Sequence, residues 1–515
     1  MIIRKYYKRN KLICFSGMDF HGDGASSIPV IKMASNPAMV SFSDYLSGLN
    51  DKKNPIQLVT SLPQYPTGYV YLDYGAGSYL RVYDQETNDP IYQYHNVGLT
   101  GGQLMILISK AQGGKTTLAS GMTTRIIEPY VDDFMYKTLM SDIVSMMGYK
   151  SLPDIGAYPF VELMDSEKTS TTDYIGQVSH YTSSMIRKFV TVTPVTTDRD
   201  VIAGVNRHIS YKKANMNKIP FTMLDMFGQP IIGYPPTAII IDSLSQLVLE
   251  DVDDPTSTLK KDKSVMDVYE SATQNTSGAR RAKVMGTLLS YLIDYAKKFN
   301  IIIICIGHIN KMLPVNGIPV KQYRGLRAGE TISGGGERAI YLASSIGRLD
   351  VIKSVGYGSS TSVDMGEDRK GFISTYSWIK CKSNSKSNSC QLVYLNGNGY
   401  DPTASLIWNM KERNILGKSG NKFYIPDYPD YKFTMKDFKE VFGDHPEMFG
   451  AAYDLATKDA AQFLDNPERA IEYGKKQLEE DRKGLREEYG DNPDARGDMM
   501  DLDDLLKMNF ERDIA

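Results

Sequence analysis

The chain has 515 residues and a mass of 57.6 kDa, more than one hydrophobic core usually serves, so a large α/β domain with smaller additions at both ends is expected. A formal charge of -2 and a pI near 6.4 exclude a globally basic nucleic-acid coat, while leaving local basic loops open. Cys14, Cys305, Cys381 and Cys390 show no CxxC spacing, so neither a disulfide framework nor a zinc site is indicated, and a reducing, cytoplasmic setting fits. No run approaches the ~18 apolar residues of a membrane span, so no membrane partner is expected.

Residues 1–60 mix Gly, Ser and Asn with one segment, NPAMVSFSDYLSGL, whose apolar positions recur at helical spacing, and they read as an N-terminal arm. From 61 to 430, short β-branched runs alternate with longer helical patterns, the signature of crossover helices joining a mostly parallel central sheet. LMILI at 104–108, TAIIID at 237–242 and NIIIICIGH at 300–308 read as fully buried central strands. Each ends in polar residues, where α/β sheets place their ligands. A small, polar stretch between STYSWIK and CQLVYLN reads as a hairpin loop. Residues 431–490 read as a small helical region, including the charged segment NPERAIEYGKKQLEEDRKGLREEYG, and 491–515 as an acidic tail.

The chemistry concentrates where LMILI runs into Ser109-Lys110-Ala111-Gln112-Gly113-Gly114-Lys115-Thr116-Thr117. A buried strand, a glycine loop and an Ala/Leu-rich helix form the context of a phosphate-binding loop. Its backbone N–H groups cradle phosphate, Lys115 reaches the β- and γ-phosphates, and Thr116 ligates Mg²⁺. Ser109 stands where the GxxxxGK[ST] pattern has its first glycine. ATP and Mg²⁺ are the implied cofactors.

A carboxylate at the end of a neighbouring strand must support the metal, and Asp242 ends AIIID; capping the next helix is its other use. Hydrolysis also needs a group to orient water. Glu167 in PFVELMDSEKT is one candidate, with Asp165 and Glu162 as competitors. His308, at the end of the third buried strand, either touches the γ-phosphate or is merely structural.

The order of these parts resembles the RecA recombinase family, most closely the UvsX recombinases of large phages, over roughly residues 60–430. PTGYVYLDYGAGSYL and NVGLTGGQLMIL are similar to the family's approach to its ATPase strand. MDSEKTSTTDY resembles its Asp-x-Glu motif with a following aromatic, which implies Glu167 as catalytic glutamate and Tyr174 as adenine stacker. The segment GARRAKVMGTLLSYLIDYAKKFNIIIICIGHINK is similar to the join between the first DNA-binding loop and the sensor strand, which gives His308 the γ-phosphate sensor role. ETISGGGERAIYLASSIGRLDV resembles the return from the second DNA-binding loop. SWIKCKSN is similar to a Lys-x-Lys strand whose lysines, here Lys380 and Lys382, reach the neighbouring protomer's ATP. GYDPTASLIWNMKERNILGKSGNKFYI resembles an ending that recombinases have and replicative helicases lack.

The resemblance implies a RecA-like ATPase core with two DNA-binding loops at about 251–284 and 311–333, and an N-terminal arm serving polymerisation. Arg280, Arg281 and Lys283 in the first loop, and Lys311, Lys321, Tyr323, Arg324 and Arg327 in the second, are the candidate DNA contacts; Tyr323 can stack on a base. The expected activity is that of an ATP-dependent recombinase that forms filaments on single-stranded DNA and exchanges strands with a duplex, in a host cytoplasm or phage replication compartment. The acidic tail either solubilises the chain or competes with DNA and recruits single-strand-binding and mediator proteins. A hexameric replicative helicase and an ATP-binding mediator are the alternatives. The segments 126–157 and 185–236 exceed what the family needs.

Overall fold

In the computed structural model the described residues are 64–83, 90–131, 160–179, 189–214, 221–224, 230–232, 234, 236–249, 276–311, 326–327, 329–332, 336–356, 363–365, 370–384 and 388–464. The arm 1–60, the residues beyond 464 and most of both expected DNA loops lie outside them.

Before the central sheet come β1 (Gln64–Tyr65), the helix Val70–Ala76, and the strands β2 (Ser78–Tyr83), β3 (Pro90–Asn96) and β4 (Leu99–Thr100). The Thr-Gly and Leu-Asp pairs of PTGYVYLDY serve each other. Asp73 is buried and accepts from the Thr67 N–H at 2.9 Å and the Thr67 hydroxyl at 2.6 Å, which locks the turn into the helix.

Burial pushes the Asp73 carboxyl up to about 7, although the hydrogen bonds from Thr67 and the Gly68 backbone oppose the shift. The folded chain therefore holds a proton that the unfolded chain releases near pH 4. The stability this group contributes is present at pH 4 and is lost as pH rises towards 7. Urea midpoints measured across that window should fall with rising pH, and an Asp73→Asn variant should show a flatter profile.

The sheet itself is built from β5 (Leu104–Ser109), β6 (Phe160–Asp165), β7 (Val190–Pro194), β10 (Thr237–Asp242), β11 (Ile301–Lys311), β12 (Glu330–Ile332), β13 (Ser345–Val355), β14 (Gly371–Cys381), β15 (Ser389–Leu395) and β16 (Gly399–Tyr400); a separate pair, β8 (Phe221–Leu224) and β9 (Pro230–Ile232), precedes β10. Its order is β16-β15-β14-β13-β5-β11-β10-β6-β7, with β12 paired to the outer end of β11. From β13 to β7 every pairing is parallel, and from β13 to β16 every pairing is antiparallel. The fold is thus α/β on a large mixed sheet with a parallel core.

Alternation on β5 shows how the layers form. Leu104, Ile106 and Ile108 face a core shared with Val201 and Val205 of the helix Asp198–Ala214 and with Leu288, Leu289 and Leu292 of the helix Thr276–Phe299. Met105 and Leu107 face the opposite core, with Leu118 and Met122 of the helix Lys115–Val131 and Trp408 of the helix Pro402–Glu412. A strand covered on both faces has no use for polar residues, which is why these strands read as unbroken apolar runs.

Three expectations shift here. Residues 276–284 of the expected first loop are helical, because the apolar spacing of Met285, Leu288, Leu289, Leu292 and Ala296 extends one continuous helix from Thr276. The segment 185–236 supplies β7 and the helix Asp198–Ala214, which extend the sheet at that edge and cover one face. The first compact unit runs on to Leu464: β18 (Lys422–Ile425), β19 (Tyr428–Phe433) and the helices Phe438–Asp444 and Glu447–Ala460 share the core that holds Leu72 and Trp408, and β17 (Gly417–Ser419) pairs with β18. Among the described residues no helix is long and apolar enough to cross a membrane.

Candidate nucleotide site

The chain leaves β5 for β6 on one side and later returns to β13 on the other, so the tip of β5 opens onto a crevice between diverging connections, where α/β sheets bind ligands. At that tip, residues 110–114 form a loop that runs directly into the helix starting at Lys115. A Cβ at Gly113 would lie 2.3 Å from the Ser109 hydroxyl oxygen, so only glycine fits beneath the turn. Gly114 takes φ +73° and packs on the Tyr400 ring.

Ser109, in the place of the pattern's first glycine, is buried and takes part in the loop. Its hydroxyl donates to Lys110 O at 2.6 Å and accepts from Lys115 Nζ at 3.1 Å. Lys115 Nζ also donates to Lys110 O at 3.1 Å and lies 3.4 Å from His308 Nδ1. Burial holds the Lys115 ammonium below its ordinary pKa, and the charges of Asp242 and Glu167 oppose that shift.

Parallel registry sets the tips of β5, β11, β10 and β6 side by side, pairing Ser109 with His308 and Asp242 with Asp165. Thr116 donates its hydroxyl to Asp242 Oδ2 at 2.5 Å, so the two oxygens proposed for one metal shell already meet. Burial, reinforced by Glu167 and Asp165, pushes the Asp242 carboxyl up to about 6 against the opposing Thr116 hydrogen bond and Lys115 charge. Asp242 caps no helix among the described residues; a turn follows it.

The three carboxylates that chemistry alone left open have separate tasks. Glu162 is buried away from this tip, held by Thr193 at 2.7 Å, Arg207 at 3.1 Å and His208 at 2.5 Å. Asp165 spends its carboxylate on the backbone N–H groups of Glu167, Lys168, Thr169 and Ser170, each at 2.7–2.9 Å. It organises the loop and has no capacity left for water. Of the three carboxylates, Glu167 is the one exposed on that loop, with a third of its side chain exposed (34%), receiving the Ser243 hydroxyl at 3.4 Å and lying 3.5 Å from His308 Nε2. Ser166 ties the loop to β10 by donating to Asp242 O at 2.9 Å.

His308 therefore sits between Lys115 and Glu167. Burial, then the Lys115 charge, keep its imidazole below the ordinary value, with Glu167 opposing. Because an ammonium can only donate, Nδ1 must accept, which places the remaining proton on Nε2 facing Glu167.

Tyr174 lies beside the loop helix, its hydroxyl bonded to that of Thr117. Lys380 is engaged within its own chain, donating to Ile340 O at 2.7 Å and Tyr341 O at 2.9 Å. Lys382 is exposed just past the end of β14 and near enough for its charge to add to burial in lowering the Lys380 pKa. Gln112 is exposed at φ 60° on the rim of the loop.

Sequence reasoning missed Tyr400. This buried tyrosine, from the GYDP run, donates its hydroxyl to Gly113 O at 3.1 Å and packs on Gly114, while Gly399 (φ +75°) fits against Thr117. No periodicity marks it; only its chain position beside two glycines hints at close packing. Removing the hydroxyl in Tyr400→Phe leaves Gly113 O without this donor, so we expect a loss of ~1 kcal/mol in urea unfolding.

Of the expected DNA contacts, Lys283 and Lys311 are exposed, whereas Arg280 and Arg281 are placed only as backbone in the first turns of the helix Thr276–Phe299. Lys321, Tyr323 and Arg324 lie outside the described residues. Arg327 is exposed, but its guanidinium lies 3.3 Å from Asp350. No protein-family model matches the chain, and no curated protein matches it.

Proposed function

We propose that the chain is an ATP-dependent DNA recombinase of the RecA type, hydrolysing ATP at the tips of β5, β6, β10 and β11. The observation that carries this reading is the convergence there of Lys115 and Thr116 with Asp242, Glu167 and His308. The residues fit a magnesium nucleotide. One carboxylate and one hydroxyl are hydrogen-bonded to each other beside a glycine loop, and no group of three or more His, Cys, Asp or Glu residues forms an all-protein cage among the described residues. Bound Mg²⁺ would neutralise charge on the β- and γ-phosphates.

Each side chain then has a definite task. Lys115 would exchange Ser109 and Lys110 O for phosphate oxygens; Thr116 and Asp242 would hold the metal; Glu167 would orient water; and His308 would report whether Lys115 is occupied. Tyr174 offers a ring for adenine, and Lys382, with Lys380, supplies positive charge to a neighbouring protomer's site. Lys283 and Lys311 serve a nucleic-acid face, with single-stranded DNA as the polymerisation template.

ATP turnover with and without single-stranded DNA, together with electron micrographs of the complex, tests the proposal. DNA-stimulated hydrolysis and helical filaments are expected, and binding should weaken steeply with salt. Rings that unwind duplex would replace this reading with the helicase; partner loading with no turnover would replace it with the mediator.

A further inference from the structure

Ser109 departs from the GxxxxGK[ST] pattern, and the residue that answers it is Gly113. Gly113 stands at a position the pattern leaves open. Unlike Gly114 it does not take a left-handed φ, so its backbone conformation gives no reason for glycine there. Space gives one. A Cβ on Gly113 would lie 2.3 Å from Ser109 Oγ, 2.8 Å from Ser109 Cβ and 3.2 Å from Lys110 O. The glycine at 113 is therefore required by the serine at 109.

That clash has no easy relief. Turning the hydroxyl away would forfeit its bonds to Lys110 O and Lys115 Nζ, at 2.6 and 3.1 Å. It would also leave Ser109 Cβ where it is, on the buried end of β5 beside His308 of β11. Moving the loop outward is opposed from the other side, where the Tyr400 hydroxyl donates to Gly113 O at 3.1 Å and the Tyr400 ring packs on Gly114. The hydroxyl housed in this space accepts from the Lys115 ammonium and donates to Lys110 O, the carbonyl that accepts a second Lys115 proton at 3.1 Å. A single side chain thus fixes both anchors of Nζ, with His308 Nδ1 as its third neighbour at 3.4 Å.

We infer that Ser109 and Gly113 are an exchanged pair: the space that the pattern keeps at its first position is kept at the fifth instead, and the Ser109 hydroxyl lodged there positions Lys115 for phosphate. The inference rests on the proposed nucleotide site and adds the residue that sets its lysine. Lys115 waits in the empty site with its ammonium already aimed, and the loop carries its own polar group where the pattern has bare backbone.

Four forms of the chain test the pair: wild type, Ser109→Gly, Gly113→Ala and the double variant, each followed by thermal melting and by titration with a fluorescent, non-hydrolysable ATP analogue and Mg²⁺. On its own, Gly113→Ala should lower the melting temperature and weaken analogue binding about tenfold or more, because the added methyl drives the hydroxyl off both its partners. In the Ser109→Gly background the same substitution should cost less than about threefold in affinity and leave the melting temperature unchanged. Equal costs in the two backgrounds overturn the pairing. Recovery of the melting temperature with equal losses of affinity overturns the positioning role, since a mere packing clash acts on folding alone. If Gly113→Ala does not fold, the double variant decides: analogue binding as tight as that of Ser109→Gly supports the inference, and failure to fold beside a folded Ser109→Gly overturns it. A wild-type chain that binds no analogue overturns the proposed function and the task given to Lys115, while the melting cycle still decides the pairing.

Discussion

Replacing Glu167 with Gln is expected to slow ATP turnover ~10²- to 10⁴-fold, the usual yield of a positioned base, while leaving analogue affinity near that of wild type. The loop that presents Glu167 is shaped by Asp165, whose carboxylate holds four successive backbone N–H groups, so the substitution leaves the loop's scaffold untouched. Gln can still accept from Ser243 and meet His308, as Glu167 Oε1 does at 3.4 and 3.5 Å. What disappears is the negative charge and the ability to take a proton from water. Loss of that charge also removes one of the influences that raise the Asp242 pKa, so metal-dependent nucleotide binding should hold or tighten slightly. Two controls sharpen the result. Glu162→Gln should lower stability through Arg207 and His208 without touching kcat, and Asp165→Asn should impair kcat and loop order together. Single-turnover hydrolysis measures the effect, and normal rates in Glu167→Gln would remove Glu167 from its role.

The second large effect belongs to Lys115→Ala, which should abolish nucleotide binding and turnover alike. Charge-assisted contacts from one ammonium to phosphate are among the strongest single interactions in such a site, and a loss of about 10²-fold or more in ATP affinity is expected. The fold should survive. Lys115 is a buried ammonium held below its ordinary pKa chiefly by burial, so alanine removes a desolvated charge instead of creating one. The groups left behind, Ser109 and Lys110 O, already bond to each other at 2.6 Å. Isothermal titration with ATP and Mg²⁺ beside a thermal melt separates the two consequences; tight binding by a folded Lys115→Ala chain would defeat the assignment.

Much of the sheet was readable because its strands are buried on both faces. LMILI, TAIIID and NIIIICIGH became the neighbours β5, β10 and β11, and their polar final residues mark the crevice. A strand that meets water on neither side advertises itself by composition alone. The division of labour among Glu162, Asp165 and Glu167 was not readable, since three carboxylates within six residues differ only in where their side chains point and in which backbone groups lie within reach. Tyr400 escaped for a related reason. Its Gly113 partner is 287 residues away, and a tyrosine in a β-rich run has many ordinary uses. The helical start of 276–284 was obscured by its arginines and lysine, which resemble a basic loop until the apolar spacing of the following turns is read backwards.

The contact between Tyr400 and Gly113 spans 287 residues. A ribosome that has just completed the glycine loop has therefore produced only part of its support: the phenol that steadies Gly113 and packs under Gly114 arrives after the whole sheet from β6 to β15 has been made. Nascent or truncated chains ending before Gly399 would carry the full glycine-loop sequence without the Tyr400 contact. In this protein the support of the glycine loop is completed only late in synthesis, once the sheet around the proposed nucleotide site has been made.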